Sequence, residues 1–371
     1  MIKYKNKICC IFIYGSFYRT AIYQNMGREL GCDFYLGNKI SGEIKELDFR
    51  KLYGFKNHLT NIWLFGRYYW QKGAVPLIFK QYKKYIITGD PSCVSNWVLL
   101  VFARILNKKT YLWTHGWYGK ESFMQKYIKK AYFGFSHHIF LYGEYAKELM
   151  IRNGFSPMKL SCIYNSLDYD LQVYLRSRLS PSKTFPNHFN NDNYNIIFIG
   201  RLTDSKKIYL LIRALAHLSA IGFKTNLTLI GNGEALEYLK RLSNECMLER
   251  NIWFYGECYD EVILSQLIYD ADLCVSPGNV GLTAIHSMVY GTPVITHNDF
   301  RYQMPEFEAI QDGITGTFFE NGSYISLSEK IRKWFSNSFD RNWIREKCFE
   351  IVDTRYNPHN QMNILRNKLL E

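Results

Sequence analysis

Residues 276–296 read SPGNVGLTAIHSMVYGTPVIT, which parses as a turn, a helix of about three turns and a buried strand. Leu282, Ile285, Met288 and Val289 recur at helical spacing. Gly278, Asn279 and Gly281 precede them, and Gly291-Thr292-Pro293 stops them. A glycine-rich turn thus opens onto a helix N-terminus. Free backbone N–H groups and the positive end of the helix dipole favour an anion there, and glycines let a phosphate or sugar approach the backbone. A plain strand–turn–helix connection carries the same pattern, so the neighbouring sequence has to decide.

Upstream, 195–199 reads as strand, GRLTDSKK at 200–207 as turn and 208–221 as helix. The rhythm continues with strand 226–230 before GNGE, helix 236–247, strand 252–255, helix 261–269 and strand 273–276. The first half has the same alternation. An apolar strand at 8–14 ends at Gly15 and is followed by a helix at 20–30, without the full spacing of a dinucleotide-binding fingerprint. Strands at 85–88, 110–113 and 138–142 alternate with helices at 92–106, 120–133 and 145–153. The expected architecture is α/β, with two Rossmann-like domains whose parallel sheets face each other across a cleft. The expected boundaries are an N-terminal domain at 1–180, a polar, proline-containing linker at 181–194 and a C-terminal domain at 195–350. A C-terminal helix at 351–371 is expected to pack back on the first domain.

A chain of 371 residues with 47% hydrophobic content accommodates two ordinary cores. Nine scattered cysteines without a CxxC pair suggest neither a zinc site nor a disulfide framework, and fit a reducing compartment. No apolar run is long enough to span a bilayer; 97–106 is short and interrupted by Arg104. The basic and apolar start is read as the first buried strand rather than a signal peptide. Residues 1–190 hold 28 Lys and Arg against 11 Asp and Glu, a net +17, whereas residues 191–371 hold 18 against 22, a net −4. The basic half favours anionic partners of some kind. Within it, WLFGRYYW at 63–70 sits among Arg67, Lys72, Lys80, Lys83 and Lys84, a mixture suited to a membrane surface or nucleic acid. An amphipathic helix with buried aromatics would read the same way.

Arg201 follows a strand and Lys206 stands at the mouth of the next helix. A planar guanidinium beside a mobile ammonium suits a pyrophosphate. His115, beside Gly116 at a strand end, and His286, one turn into the key helix, can hold sugar hydroxyls or phosphate. His137 and His138 read as structural. Asp168/Asp170 and Asp270/Asp272 have the spacing of a metal pair, but caps and turns explain them. No Ser-His-Asp arrangement or GxSxG elbow is present.

GRLTDSK at 200–206, IGNGE at 230–234, the opening stretch at 276–296 and PEFEAIQDGITG at 305–316 resemble, in order and spacing, the donor-domain motifs of glycosyltransferase family 4. That family has the GT-B fold and retains configuration at the anomeric carbon. The resemblance is strong over residues 195–330; before them, only the Gly15 turn and His115-Gly116 fit. It implies transfer of a sugar from a UDP- or GDP-linked nucleotide-sugar to a saccharide, lipid-linked in the preferred reading, in capsule or O-antigen synthesis. It implies no metal or other cofactor and no nucleic-acid partner. The place implied is the cytoplasm, peripheral at the anionic inner face of the cell membrane. His115, Arg201 and Lys206 would be catalytic. Gly15, Gly231, Gly233, Gly278, Asn279, Gly281, Leu282, Thr283 and His286 would bind the donor. Departing diphosphate charge would be met by Arg201, Lys206 and the helix end near Thr283, and the leaving oxygen can itself take the acceptor's proton. Two glutamates usual in the family are replaced by Gly278 and His286, with Asn279 or backbone N–H groups as substitutes for the first. Three alternatives stay open: a GT-B sugar-nucleotide epimerase, a nucleic-acid-binding module, and a non-catalytic relative.

Overall fold

The structure is a computed structural model that describes residues 7–38, 44–337 and 340–370. The chain divides into two compact units, residues 1–168 with 357–371, and residues 169–356. In the first unit the strands are β1 (Ile8–Phe12), β2 (Cys32–Gly37), β3 (Phe55–Phe65), β4 (Tyr68–Lys72), β5 (Lys84–Thr88), β6 (Lys109–Thr114), β7 (His138–Leu141) and β8 (Leu160–Cys162). The helices are α1 (Thr20–Leu30), α2 (Val94–Ile105), α3 (Phe123–Gly134) and α4 (Glu144–Arg152). Among the described residues the sheet order is β4-β3-β2-β1-β5-β6-β7-β8. All neighbours are parallel except β3 and β4. Because strand side chains alternate between faces, Cys9 and Ile11 enter one core and Ile8, Cys10 and Phe12 the other. Both faces of β1 are thereby covered, which is why it reads as an uninterrupted apolar run.

The aromatic and basic segment after Lys51 is not a helix. It forms the antiparallel β3–β4 hairpin, with Gly66 at φ +52° in the turn. Period-2 alternation is visible afterwards in Leu59, Asn61, Tyr69 and Gln71, which are buried while their neighbours are more exposed.

The second unit contains α5 (Tyr169–Arg176), α6 (Thr184–Phe189), β9 (Tyr194–Ile199), α7 (Ile208–Ala220), β10 (Thr225–Ile230) and α8 (Leu236–Glu245). It continues with β11 (Ile252–Gly256), α9 (Glu261–Asp270), β12 (Leu273–Ser276), α10 (Thr283–Val289) and β13 (Val294–His297). The unit closes with β14 (Gly316–Phe319), α11 (Tyr324–Ser336) and α12 (Arg341–Thr354). Its described strands form a wholly parallel sheet in the order β11-β10-β9-β12-β13-β14. This doubly wound order reverses direction between β9 and β12. α10 has 7 residues, about two turns rather than three, since Leu282 forms its N-cap and Tyr290 its C-cap.

Two expected boundaries differ from the structure. The division between units falls after Asp168. Residues 184–189 of the expected linker form α6, with Phe185 and Phe189 buried, so the segment is part of the second unit's packing. The last helix, α13 (Pro358–Leu369), belongs to the first unit, where Met362, Leu365 and Leu369 share a core with Ile22, Met26 and Leu30 of α1. It is tied there by Ser166 Oγ donating to Gln361 Oε1 at 2.6 Å and by an Arg366–Glu29 ion pair. Glu371 lies outside the described residues.

Candidate functional site

At the reversal point of the second sheet, the segments leaving β9 and β12 meet. The Gly278 amide donates to the Lys206 carbonyl at 2.9 Å. A Cβ at 278 would stand 2.2 Å from the Ser205 carbonyl oxygen and 2.7 Å from the Lys206 Cα. The turn at 204–206 therefore fills the space a side chain would need, which is a steric reason for the missing first glutamate.

Lys206 Nζ donates to the Asn279 backbone oxygen at 2.6 Å and to its Oδ1 at 2.7 Å. Asn279 Oδ1 is thus engaged in anchoring the lysine. Burial, and then neighbouring Arg201, lower the Lys206 pKa to about 8, with Glu306 acting in the opposite direction. Arg201 is exposed, and its guanidinium makes no hydrogen bond or ion pair among the described residues. A partly desolvated ammonium beside an unpaired guanidinium is a site whose charge is balanced by adding an anion.

The surrounding sequence sets this geometry. Gly231 and Gly233 allow close approach: a Cβ at either would fall 1.9 Å from the Gly200 oxygen and 2.4 Å from the Leu202 oxygen respectively. The Leu202 amide donates to the Asn232 carbonyl at 2.9 Å, fixing the start of the Arg201 turn. Thr283 Oγ1 donates to the Ile199 carbonyl at 3.0 Å, joining α10 to the end of β9. Gly281 adopts φ +53°, and Leu282 caps α10 without a side-chain hydrogen bond. Behind the turn, buried Gln303 accepts from the Val280 amide at 2.9 Å and donates to Thr296 Oγ1 at 2.8 Å.

His286 does not stand alone in place of the second glutamate. Its Nε2 lies 3.0 Å from Glu261 Oε1, which also accepts from Tyr290 Oη at 2.6 Å and from Gln172 Nε2 at 2.9 Å. Burial by itself would raise the Glu261 pKa, but these partners outweigh it and hold the carboxyl down to about 2. A carboxylate from α9 therefore sits beside the position α10 leaves without one. Glu261 beside His286, Gln303 behind the 278–280 turn and Glu306 near Lys206 surround the site although no spacing rule singles them out. For Glu261, the available signal was its place directly after the Asp260 N-cap.

The Asp270/Asp272 pair serves structure. Asp270 accepts from the Ser182 amide at 3.1 Å and from Gln266 Nε2 at 2.8 Å; Asp272 accepts from the Asn195 amide at 2.7 Å and pairs with Arg341. Among the described residues no group of three or more His, Cys, Asp or Glu side chains is arranged to hold a metal ion.

In the first unit, a cavity of about 610 Å³ opens at the carboxyl ends of β1, β5, β6 and β7. It contains His115 and the residues flanking Gly15, namely Tyr14 and Ser16. Gly15 itself packs between Leu36 and Leu47, where a Cβ would be 2.9 and 3.0 Å from their methyl groups. His115 lies 4.6 Å, ring to ring, from Tyr142, and its buried Nδ1 has no hydrogen-bond partner. Burial, then Arg19 and Lys129, lower its pKa to about 4, so the imidazole is neutral at ordinary pH.

Residues 181–348 match the family described as Glycosyl transferases group 1. That match lies within the second unit. An uncharacterized glycosyltransferase of Methanocaldococcus jannaschii is 27% identical over 143 residues; the alignment takes in 37% of this chain and 36% of that protein's length. Among solved structures, Anabaena HepE in complex with UDP is similar at a TM-score of 0.72 and 17% identity, covering 98% of this chain and 99% of HepE. The lipopolysaccharide outer core galactosyltransferase WaaB matches at a TM-score of 0.69 and 15% identity, again covering 98% and 99%. These likenesses give the fold: two α/β units of the GT-B kind, with the group 1 match in the second.

Proposed function

We propose that the chain is a glycosyltransferase that moves a sugar from a nucleotide-sugar to a saccharide acceptor, with retention at the anomeric carbon as in glycosyltransferase family 4. The observation that carries this reading is the half-buried Lys206 beside Arg201, whose guanidinium has no hydrogen-bond or ion-pair partner among the described residues, at the reversal point of the second sheet. Their charge suits the two phosphates of a nucleoside diphosphate, and HepE, a structure of the same fold, is recorded with UDP and with UDP-glucose. As the glycosidic bond to the diphosphate breaks, negative charge grows on the leaving oxygen, where Lys206 and Arg201 stabilise it. That oxygen then accepts the proton of the acceptor hydroxyl. A glutamate side chain cannot fit at 278, so in this reading Lys206 and Arg201 hold the diphosphate without it.

The acceptor in this reading is a lipid-diphosphate-linked saccharide of a surface polysaccharide, used at the inner face of the cell membrane by a peripheral, cytoplasmic enzyme. Three features of the first unit support it: its net positive charge, the exposed Phe65 at the hairpin tip, and the exposed Phe123, Met124 and Tyr127 of α3 beside lysines. No described helix is long and apolar enough to cross a membrane. The test is product analysis with UDP- and GDP-sugars in the presence of EDTA. The expected result is free nucleoside diphosphate and an α-configured product from an α-linked donor. Activity lost in EDTA and restored by manganese would overturn the metal-free mechanism, and conversion of the donor to another nucleotide-sugar would indicate an epimerase.

A further inference from the structure

The cavity of the first unit contains a cation that no carboxylate of the described residues neutralises. Arg19 directly precedes α1, and its guanidinium lies 5.3 Å from the centre of the Trp113 ring and 5.2 Å from that of Tyr142. It donates to the Tyr142 hydroxyl and forms no ion pair among the described residues. The two carboxylates lining the cavity are otherwise engaged: Asp90 accepts from the Ser92 amide at 2.9 Å, while Glu121 takes Lys129 at 2.7 Å and the Tyr118 and Gly119 amides. Arg67 and Lys120 also line the cavity, so among the described residues four cationic side chains line it with two carboxylates. Beside Arg19, His115 presents a buried ring nitrogen with no hydrogen-bond partner among the described residues. Aromatic walls hold the guanidinium in place and lower the local dielectric, which strengthens its attraction for an incoming anion.

We propose that this cavity is an anion-recognising acceptor subsite, in which Arg19 selects a saccharide bearing a phosphate or carboxylate group. The inference rests on the transferase reading and adds the residue that recognises the acceptor's anionic group, whichever of two sources that group comes from. Planar bidentate recognition suits either group; a lipid-carrier phosphate and an acidic sugar are the two sources. The aromatic side chains Trp113 and Tyr142 supply faces on which a sugar ring can lie while its anionic substituent reaches the guanidinium.

The test uses the full chain and calorimetric titration with three probes: a short prenyl phosphate, glucuronic acid and glucose. Anion binding at the second unit is removed by working in an R201A/K206A background, and UDP binding is measured separately on the unsubstituted chain. The expected result is that at least one anionic probe binds this background and glucose binds at least tenfold more weakly. Adding R19Q should weaken the anionic probe at least tenfold, with R19K retaining part of the affinity because it keeps the charge. Preference for prenyl phosphate identifies the lipid source, and preference for glucuronic acid the acidic-sugar source. The inference is overturned if neither anion binds, or if the R19Q and R19K forms, with unchanged melting temperature, bind both as well as the background does. UDP binding intact alongside such a result would leave the transferase reading standing, whereas loss of UDP binding by the unsubstituted chain would remove that reading itself.

Discussion

The two units are built from the same strand–helix alternation, yet they make their sites differently. In the second, the site is shaped by backbone: Gly231, Gly233 and Gly278 lie where any Cβ would collide with the 200–206 segment, and the polar side chains mostly staple loops together. In the first, the cavity is made of side chains brought from the ends of four strands, many of them aromatic or cationic. A site made of backbone demands particular residues at fixed spacing, so it leaves a motif. A site made of side chains from scattered segments leaves only composition.

If the contrast is right, the largest effects come from charge in the second unit. R201A and K206A should each lower turnover by about 3 to 4 kcal/mol of transition-state stabilisation, roughly a hundredfold or more, with the fold retained. Single-turnover kinetics and circular dichroism check both points, and wild-type rates in a folded double variant would remove the proposed roles. Next comes the backbone itself. Even G278A should destabilise the protein by about 3 kcal/mol, because its methyl group meets backbone rather than a movable side chain. G278E, which restores the family's glutamate, should lower the melting temperature and donor affinity together instead of raising activity.

The replacement pair on α9 and α10 gives a smaller effect. E261Q keeps some hydrogen bonds to Tyr290 and Gln172 but loses the charge that faces His286, so a loss of about 1 to 3 kcal/mol is expected at neutral pH. The folded-state pKa of about 2 lies below the ordinary carboxyl value of 4.5, so this stabilisation is present above about pH 4.5 and fades as pH falls toward 2. Acid-denaturation curves of wild type and E261Q should therefore converge at the acid end.

The smallest effects are titrations that separate the two units. Lys206 is protonated below about pH 8, so donor affinity should fall as pH rises through that value; K206R, whose charge persists, should shift the fall upward. His115 works in the other direction. Its folded pKa of about 4 is below the ordinary 6.5, so the unfolded chain binds the proton first and stability is lost as pH drops from about 6.5 to 4. H115N should flatten that slope without altering nucleotide affinity, as measured by melting curves across the window.

This difference between units also explains what could be read from the chain. Alternating apolar runs and glycine turns marked the strands and helices from β9 to β13 to within a few residues, because each element there has one dominant period. Arg201 and Lys206 were legible for the same reason: they stand at fixed distances from β9. The β3–β4 hairpin was not, since its aromatics and lysines satisfy a helical pattern as well as an alternating one until Gly66 is known to turn the chain. α6 was concealed in a polar segment whose two phenylalanines, Phe185 and Phe189, carry its packing. Glu261 was concealed because it reaches His286 across 25 residues of sequence.

The most direct test of the central claim is calorimetric titration of the chain with UDP-sugars and GDP-sugars in EDTA, comparing wild type with the R201A/K206A double variant. The expected result is one saturable site in wild type that is weakened at least a hundredfold in the double variant. A matching thermal shift, corresponding to about 2.7 kcal/mol at a hundred times the dissociation constant, should appear only in wild type. Equal affinity in the two proteins, or no binding of any nucleotide-sugar by folded wild type, would contradict the account.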